Sequence, residues 1–180
     1  MKLYLIRHGE TVLNSQDTVQ GWLDSELTER GREQARKAVA QLGDVKPTIV
    51  FSSDLMRAQQ TTEELRNVFA DVPVLLDWRL RERMMGDAQG KHHSEVDGDE
   101  LRGLKPNTTV KDLEPMEAFT DRVLHFISDL LDFADTHEEV VIVTHNGTIN
   151  RFAYLTDKEK YSWTAYPNGD VLTLELRSED

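Results

Sequence analysis

The chain contains no cysteine among its 180 residues, which excludes disulfides, thiol catalysis and cysteine-based metal sites. No apolar run approaches the ~20 residues that a membrane-spanning helix needs. Zinc-type ligand patterns, internal repeats and low-complexity segments are absent as well. Met1-Lys2 leads straight into an apolar segment without the regions of a secretory leader, so a cytoplasmic protein is expected. Positive charge is scarce: 21 Lys and Arg stand against 33 Asp and Glu, a net charge of −12. That balance disfavours nucleic acid and anionic membranes as partners, because both rely on a basic footprint. It also repels phosphorylated molecules at long range, so any anion site has to be a local cationic cluster. What remains, 38% hydrophobic and 30% charged residues, is a globular composition. A single domain over residues 1–180 is expected from the usual ~100–200 residues per domain.

Apolar runs alternate with helical patterns along the chain. Leu3 to Ile6 reads as a buried strand that stops at Arg7-His8-Gly9. After a polar loop, Thr28 is placed to cap a helix that carries Ala35, Ala38, Val39 and Leu42 and closes at Gly43. A strand at 48–51 ends in Ser52-Ser53-Asp54, where Asp54 is expected to cap a helix over 55–69 with Leu55, Ala58, Leu65, Val68 and Phe69 inward. A third strand follows at 73–76. From Asp77 to Pro115 the pattern gives way to charged residues, glycine and proline, read as a functional loop or lid with its insertion at about 83–115. A helix over 116–136 presents Met116, Phe119, Val123, Ile127, Leu130, Leu131 and Ala134, and the strand 140–144 ends at His145-Asn146-Gly147. A helix at 148–155 comes next, and Asn168-Gly169 turns into a last strand at 171–176, half exposed at a sheet edge. This order predicts an α/β fold, a three-layer α/β/α sandwich around a mostly parallel sheet.

Parallel strands bring their carboxyl ends together, and that is where ligands bind in such folds. Arg7 and His8 follow the first strand, Arg57 the second, Glu82 the third and His145 the fourth. Two arginines and two histidines can surround a phosphoryl group and stabilise its oxygens in the transition state. One histidine can attack phosphorus in line while a carboxylic acid on the opposite side protonates the leaving oxygen.

Arg7-His8-Gly9-Glu10-Thr11, Ser52-Ser53-Asp54-Leu55-Met56-Arg57-Ala58, Leu80-Arg81-Glu82 with Gly86 and Gly90, and Thr144-His145-Asn146-Gly147 occur in this order. In them the chain resembles the histidine phosphatase, or phosphoglycerate mutase-like, superfamily over nearly its full length. The resemblance implies a phosphoglycerate mutase-like fold, with His8 as the nucleophile that becomes a phosphohistidine. It implies Arg7, Arg57 and His145 as the phosphate pocket, Glu82 as proton donor, and Asn14 and Gln20-Gly21 as loop positions that touch phosphate or substrate. Asn146 and Gly147 stand where many relatives have two glycines, which changes the backbone donors and adds Asn146 to the phosphate-binding candidates. His8 has to attack as neutral imidazole; a backbone carbonyl, for which Gly9 is the candidate, would take its Nδ1 proton and leave Nε2 free. Two nearby arginines favour that neutral state.

The expected function is therefore a metal-independent, histidine acid phosphatase-type phosphomonoesterase without a cofactor, acting on a small phosphorylated metabolite. Mutase-type phosphotransfer is the alternative, because Glu82-Arg83 and Gln89-Gly90 resemble that branch. Met85 departs from it, and the adjacent arginine pair of its insertion is replaced by separated Arg102 and Lys105. A phosphate-binding regulatory module is the third reading. Glu10 or Asp87 is the alternative proton donor. Lys91 is a further candidate for an anionic substrate, whereas His92 and His93 read as solvated loop residues, and His125 and His137 as surface positions. Trp22 either lines the mouth of the site or packs. Monomer and homodimer fit equally well.

Overall fold

The computed structural model describes residues 1–105, 107–133, 138–159 and 161–176. Along the chain come β1 (Lys2–Arg7), α1 (Val12–Ser15), α2 (Glu29–Gln41), β2 (Ile49–Ser52), α3 (Met56–Arg66) and β3 (Val74–Leu76). There follow α4 (Gly98–Leu101), α5 (Met116–Asp132), β4 (Glu139–Thr144), α6 (Asn146–Thr156) and β5 (Val171–Glu175). The strands form one sheet in the order β3-β2-β4-β1-β5, in which only β5, the edge strand beside β1, is antiparallel.

Side-chain alternation along the strands sends successive residues to opposite faces. Leu3 and Leu5 of β1 with Val140 and Ile142 of β4 pack against Phe119, Val123, Phe126, Ile127 and Leu130 of α5 and Ile149 and Phe152 of α6. Ile6, Val50, Val141 and Val143 point the other way, to Ala38 and Val39 of α2 and Ala58 and Leu65 of α3. The result is the α/β/α sandwich read from the sequence. Phe126 ties the first layer together through edge-on contacts with Phe51 and Phe152, at ring centroid distances of 5.2 and 6.0 Å.

Several elements differ from the sequence reading. Thr28 caps α2 through Gly31 N at 3.0 Å, and Gly43 has φ +56 just past the end of that helix. Asp54, however, does not cap α3. Its carboxylate is taken by Arg81, Nε to Oδ1 at 2.7 Å and Nη2 to Oδ2 at 2.6 Å, because a bidentate charged pair outcompetes a neutral cap. Helix α3 ends at Arg66, which turns Val68 outward with 62% of its surface exposed. Helix α6 starts two residues earlier than expected, with Asn146 and Gly147 in its first turn. The expected end of the 116–136 helix, with Ala134, lies outside the described residues, as does His137.

The segment from Asp77 to Pro115 carries more structure than its composition announces. Short 3₁₀ turns at Trp78–Leu80, Gly86–Ala88 and His93–Glu95 join α4. Val19, Ala88 and Leu101 form a small core beneath it. Glu100 gathers the Val110 N–H at 2.9 Å and the Thr108 hydroxyl at 2.5 Å. Polar side chains thus replace the missing apolar pattern as the organising contacts. Among the described residues no helix is long and apolar enough to cross a membrane.

Candidate active site

The parallel register places Arg7 opposite Thr144 and Ser52 opposite Val143, so β1, β2 and β4 end at one level. Just beyond, His8 N donates to Thr144 O at 3.0 Å and Ser53 N to Val143 O at 2.9 Å. The His8 ring sits with Nδ1 2.7 Å from Gly9 O. A carbonyl can only accept, so Nδ1 carries the proton and Nε2 keeps its lone pair. Gly9 is held by its own N–H to Thr61 Oγ1 at 3.1 Å, and a Cβ there would lie 2.2 Å from Gly31 O. The carbonyl that orients the imidazole therefore has little freedom. Burial pushes His8 well below the ordinary histidine range, with the positive charges of Arg57 and Arg7 adding to it. Desolvation, more than the arginines invoked from the sequence, keeps the ring neutral.

Arg57 is buried in the first turn of α3 and is fixed by three acceptors. Its Nη2 donates to Gly21 O at 2.7 Å, its Nη1 to Leu23 O at 2.9 Å and its Nε to His145 Nδ1 at 3.2 Å. Desolvation lowers its pKa to about 10, which leaves it charged at neutral pH. Since His145 Nδ1 accepts, its Nε2 is the protonated nitrogen and donates to Ser53 Oγ at 2.9 Å. His145 is fully buried, its ring centroid is 5.1 Å from that of His8, and burial first, then Arg57, hold it neutral. Both its nitrogens face protein, so His145 supports Arg57 from behind and does not line the cavity that His8 faces. Arg7 donates to Tyr166 O, while its buried Nε has no partner.

Glu82 stands on the cavity wall with Oε1 accepting from Arg83 N at 2.8 Å and Oε2 from Gly147 N at 3.0 Å. A Cβ on residue 147 would come within 2.2 Å of Glu82 Oε1 and push the carboxylate aside, so glycine lets the Glu82 carboxylate sit against the residue 147 N–H. The segment that carries Glu82 is anchored on every side. Thr144 and Thr148 hydroxyls donate to Leu80 O and Arg81 O at 2.7 and 2.9 Å. Trp22 Nε1 and Arg122 Nη2 donate to Glu82 O at 2.7 and 2.8 Å. Trp22 is thus a structural prop, with Arg81 stacked 4.7 Å above its ring, and not part of the cavity mouth.

The cavity has a volume of about 590 Å³ and is lined by His8, Arg7, Arg57, Glu82, Asn14, Gln20, Gly21 and Asn146 among others. Three amides have their oxygens occupied. Asn14 Oδ1 takes Thr11 N at 3.2 Å, Gln20 Oε1 takes Thr11 Oγ1 at 3.0 Å, and Asn146 Oδ1 takes Tyr166 N at 2.9 Å. Their NH₂ groups remain as donors for an anion. Gly21, with φ +52, contributes its carbonyl to Arg57 and room for Gln89 Oε1, which a Cβ would meet at 2.3 Å. Of the alternative proton donors, Glu10 pairs with Arg30 at 3.1 Å and Asp87 accepts Lys111 N at 3.1 Å; neither lines the cavity. Lys91 and Lys105 are also away from it.

Sequence reasoning overlooked Ser53 as the partner of His145 and Arg122 as the anchor of residues 79–82. Arg122 was legible in part: a charged residue between Phe119, Val123 and Phe126 on an apolar stripe has to have a buried partner. That partner is Glu114, at 2.8 Å. Arg83, noted in the sequence only for its likeness to the mutase branch, and Arg151, which carried no motif signal, also line the cavity. Among the described residues no group of three or more His, Asp or Glu side chains is arranged to hold a metal ion.

Residues 3–180 match the model of the histidine phosphatase superfamily (branch 1). The chain is 34% identical over 158 residues to phosphoglycerate mutase-like protein 4 of Arabidopsis thaliana, covering 82% of this chain and 67% of that protein. It is 44% identical over 96 residues to glucosyl-3-phosphoglycerate phosphatase of Mycolicibacterium vanbaalenii, covering 53% of this chain and 42% of that one. The match thus spans less than half the length of the mycobacterial relative. In structure the chain is similar to the alpha-ribazole phosphatase of Shigella flexneri, with TM-score 0.85, 28% identity, and 99% and 92% of the two chains covered.

Proposed function

The chain belongs to the histidine phosphatase superfamily, and from that premise we propose that it hydrolyses phosphomonoesters of small metabolites through a phosphohistidine on His8. The observation that carries the proposal is the His8 ring itself. It is buried, neutral, locked through Nδ1 to Gly9 O, and has a free Nε2 facing a cavity that also exposes Arg7, Arg57 and Glu82. In the first step Nε2 attacks phosphorus, the P–O ester bond breaks, and the leaving oxygen takes the proton of the Glu82 carboxyl group. In the second step water attacks the phosphohistidine, Glu82 as carboxylate takes its proton, the P–N bond breaks, and inorganic phosphate leaves with His8 restored. Arg7 and Arg57 with the amides of Asn14, Gln20 and Asn146 supply donors for the equatorial oxygens. Phosphatases among the relatives support hydrolysis as the outcome.

Rapid-quench labelling should find acid-labile phosphate on the wild-type chain and none on His8→Ala, and hydrolysis by that variant at the wild-type rate would defeat the mechanism. Because the cations at the site are side chains, we expect turnover of p-nitrophenyl phosphate to survive exhaustive chelation; loss that returns on adding a metal would contradict this. Mutase-type transfer is the weaker reading, since Arg102 and Lys105 of the 83–115 segment are tied to Asp99 and Asp97. Mutase turnover of 3-phosphoglycerate without hydrolysis would reverse that order.

A further inference from the structure

Among the described residues two buried side-chain polar atoms lack a hydrogen-bond partner, Arg7 Nε and Arg151 Nε, and both arginines line the same cavity. Leaving a buried N–H unsatisfied is costly, and such an orphan in a binding cavity is satisfied when an acceptor arrives. Arg7 Nε is accounted for by the transferred phosphate. Arg151 belongs to α6, and its surroundings leave it equally short of acceptors. Its Nη2 meets Met116 Sδ, a weak acceptor, and its guanidinium lies over Phe119 at 5.8 Å and Tyr154 at 5.2 Å. No carboxylate among the described residues pairs with it, and burial, opposed by Tyr161 and Tyr154, lowers its pKa.

The cavity's charge points the same way. In a chain of net charge −12, its wall carries five arginines, Arg7, Arg57, Arg83, Arg102 and Arg151, against one carboxylate, Glu82. Three of these arginines are engaged. Arg57 holds backbone carbonyls and His145, Arg83 donates to Glu114 O and Leu101 O at 2.7 and 2.8 Å, and Arg102 pairs with Asp99. Among the described residues, Arg7 and Arg151 are the two with a buried nitrogen that has no partner at all. Resting on the phosphomonoesterase reading above, we propose that Arg151 is a specificity residue, binding a second anionic group, a carboxylate or a phosphate, on the alcohol portion of the substrate.

Two matched pairs test this. 3-Phosphoglycerate against glycerol 3-phosphate differs by a carboxylate, and fructose 1,6-bisphosphate against fructose 6-phosphate by a second phosphate. The wild-type chain should prefer the more anionic member of at least one pair in kcat/KM, and which pair responds identifies the anion. Arg151→Gln should lower that preference about tenfold, the size of one charge-assisted hydrogen bond, with Arg151→Lys falling between. A wild-type chain with no preference in either pair overturns the proposal, as does a preference that survives in Arg151→Gln. Hydrolysis of p-nitrophenyl phosphate that depends on His8 keeps the phosphatase reading intact in either case. Should no ester be hydrolysed, that reading fails by itself, and calorimetric dissociation constants of the same pairs decide the role of Arg151.

Discussion

His8 is kept neutral by its surroundings in a way that can be read from activity. Burial and two nearby guanidinium groups disfavour its protonated form, so the nucleophile stays available below the usual histidine pKa of about 6.5. With p-nitrophenyl phosphate, whose leaving group needs little help from Glu82, kcat/KM corrected for substrate ionisation should hold as pH falls past about 6.5. An acid limb centred at or above that value would contradict a buried neutral His8. Ser53 offers a second test at the same scale. Its Oγ is the acceptor for His145 Nε2–H, and removing it strands a buried donor. Ser53→Ala should destabilise the chain by about 1–3 kcal/mol in urea unfolding. It should also weaken catalysis, because His145 holds Arg57. Stability equal to wild type would mean that His145 finds another acceptor.

At the scale of elements, the site is a set of strand ends braced by one buried ion pair. Arg122 projects from the apolar face of α5, pairs with both Glu114 oxygens at 2.8 and 2.9 Å, and donates to the carbonyls of Arg79, Arg81 and Glu82. Truncating it leaves the largely covered Glu114 carboxylate without its cation, so Arg122→Ala should cost about 3 kcal/mol in urea unfolding. Esters with poor leaving groups should lose more activity than p-nitrophenyl phosphate, because Glu82 is displaced while His8 is not. Equal losses on both would place the role of Arg122 in folding alone. The strands and helices around this brace were legible in the sequence, since apolar periodicity records which face is buried. The 77–115 segment was not, because its order comes from Glu100 accepting from the 108–110 turn and from Arg83 and Arg122 on carbonyls. Contacts of that kind leave no periodic trace. Asp54 was misread as a cap for a related reason: its competitor, Arg81, is distant in sequence.

For the whole molecule, the sheet brings His8 and His145 from opposite halves of the chain into one buried place, and that placement couples folding to pH. Which residues meet was readable from matching strand ends; that His145 faces Arg57 and Ser53 rather than the cavity depends on side-chain direction, which sequence order does not encode. Both rings are held neutral in the folded chain, whereas in the unfolded chain they titrate near 6.5. Below about 6.5 the unfolded state therefore binds more protons, and stability falls as pH drops until the folded rings also protonate. Each histidine contributes a slope of up to about 1.4 kcal/mol per pH unit. Asp54, whose pKa Arg81 lowers, acts only in the separate window below about 4. Urea unfolding between about pH 7.5 and 5 should thus give a wild-type slope near twice that of His145→Gln, and identical slopes would mean that the second ring takes its proton without unfolding.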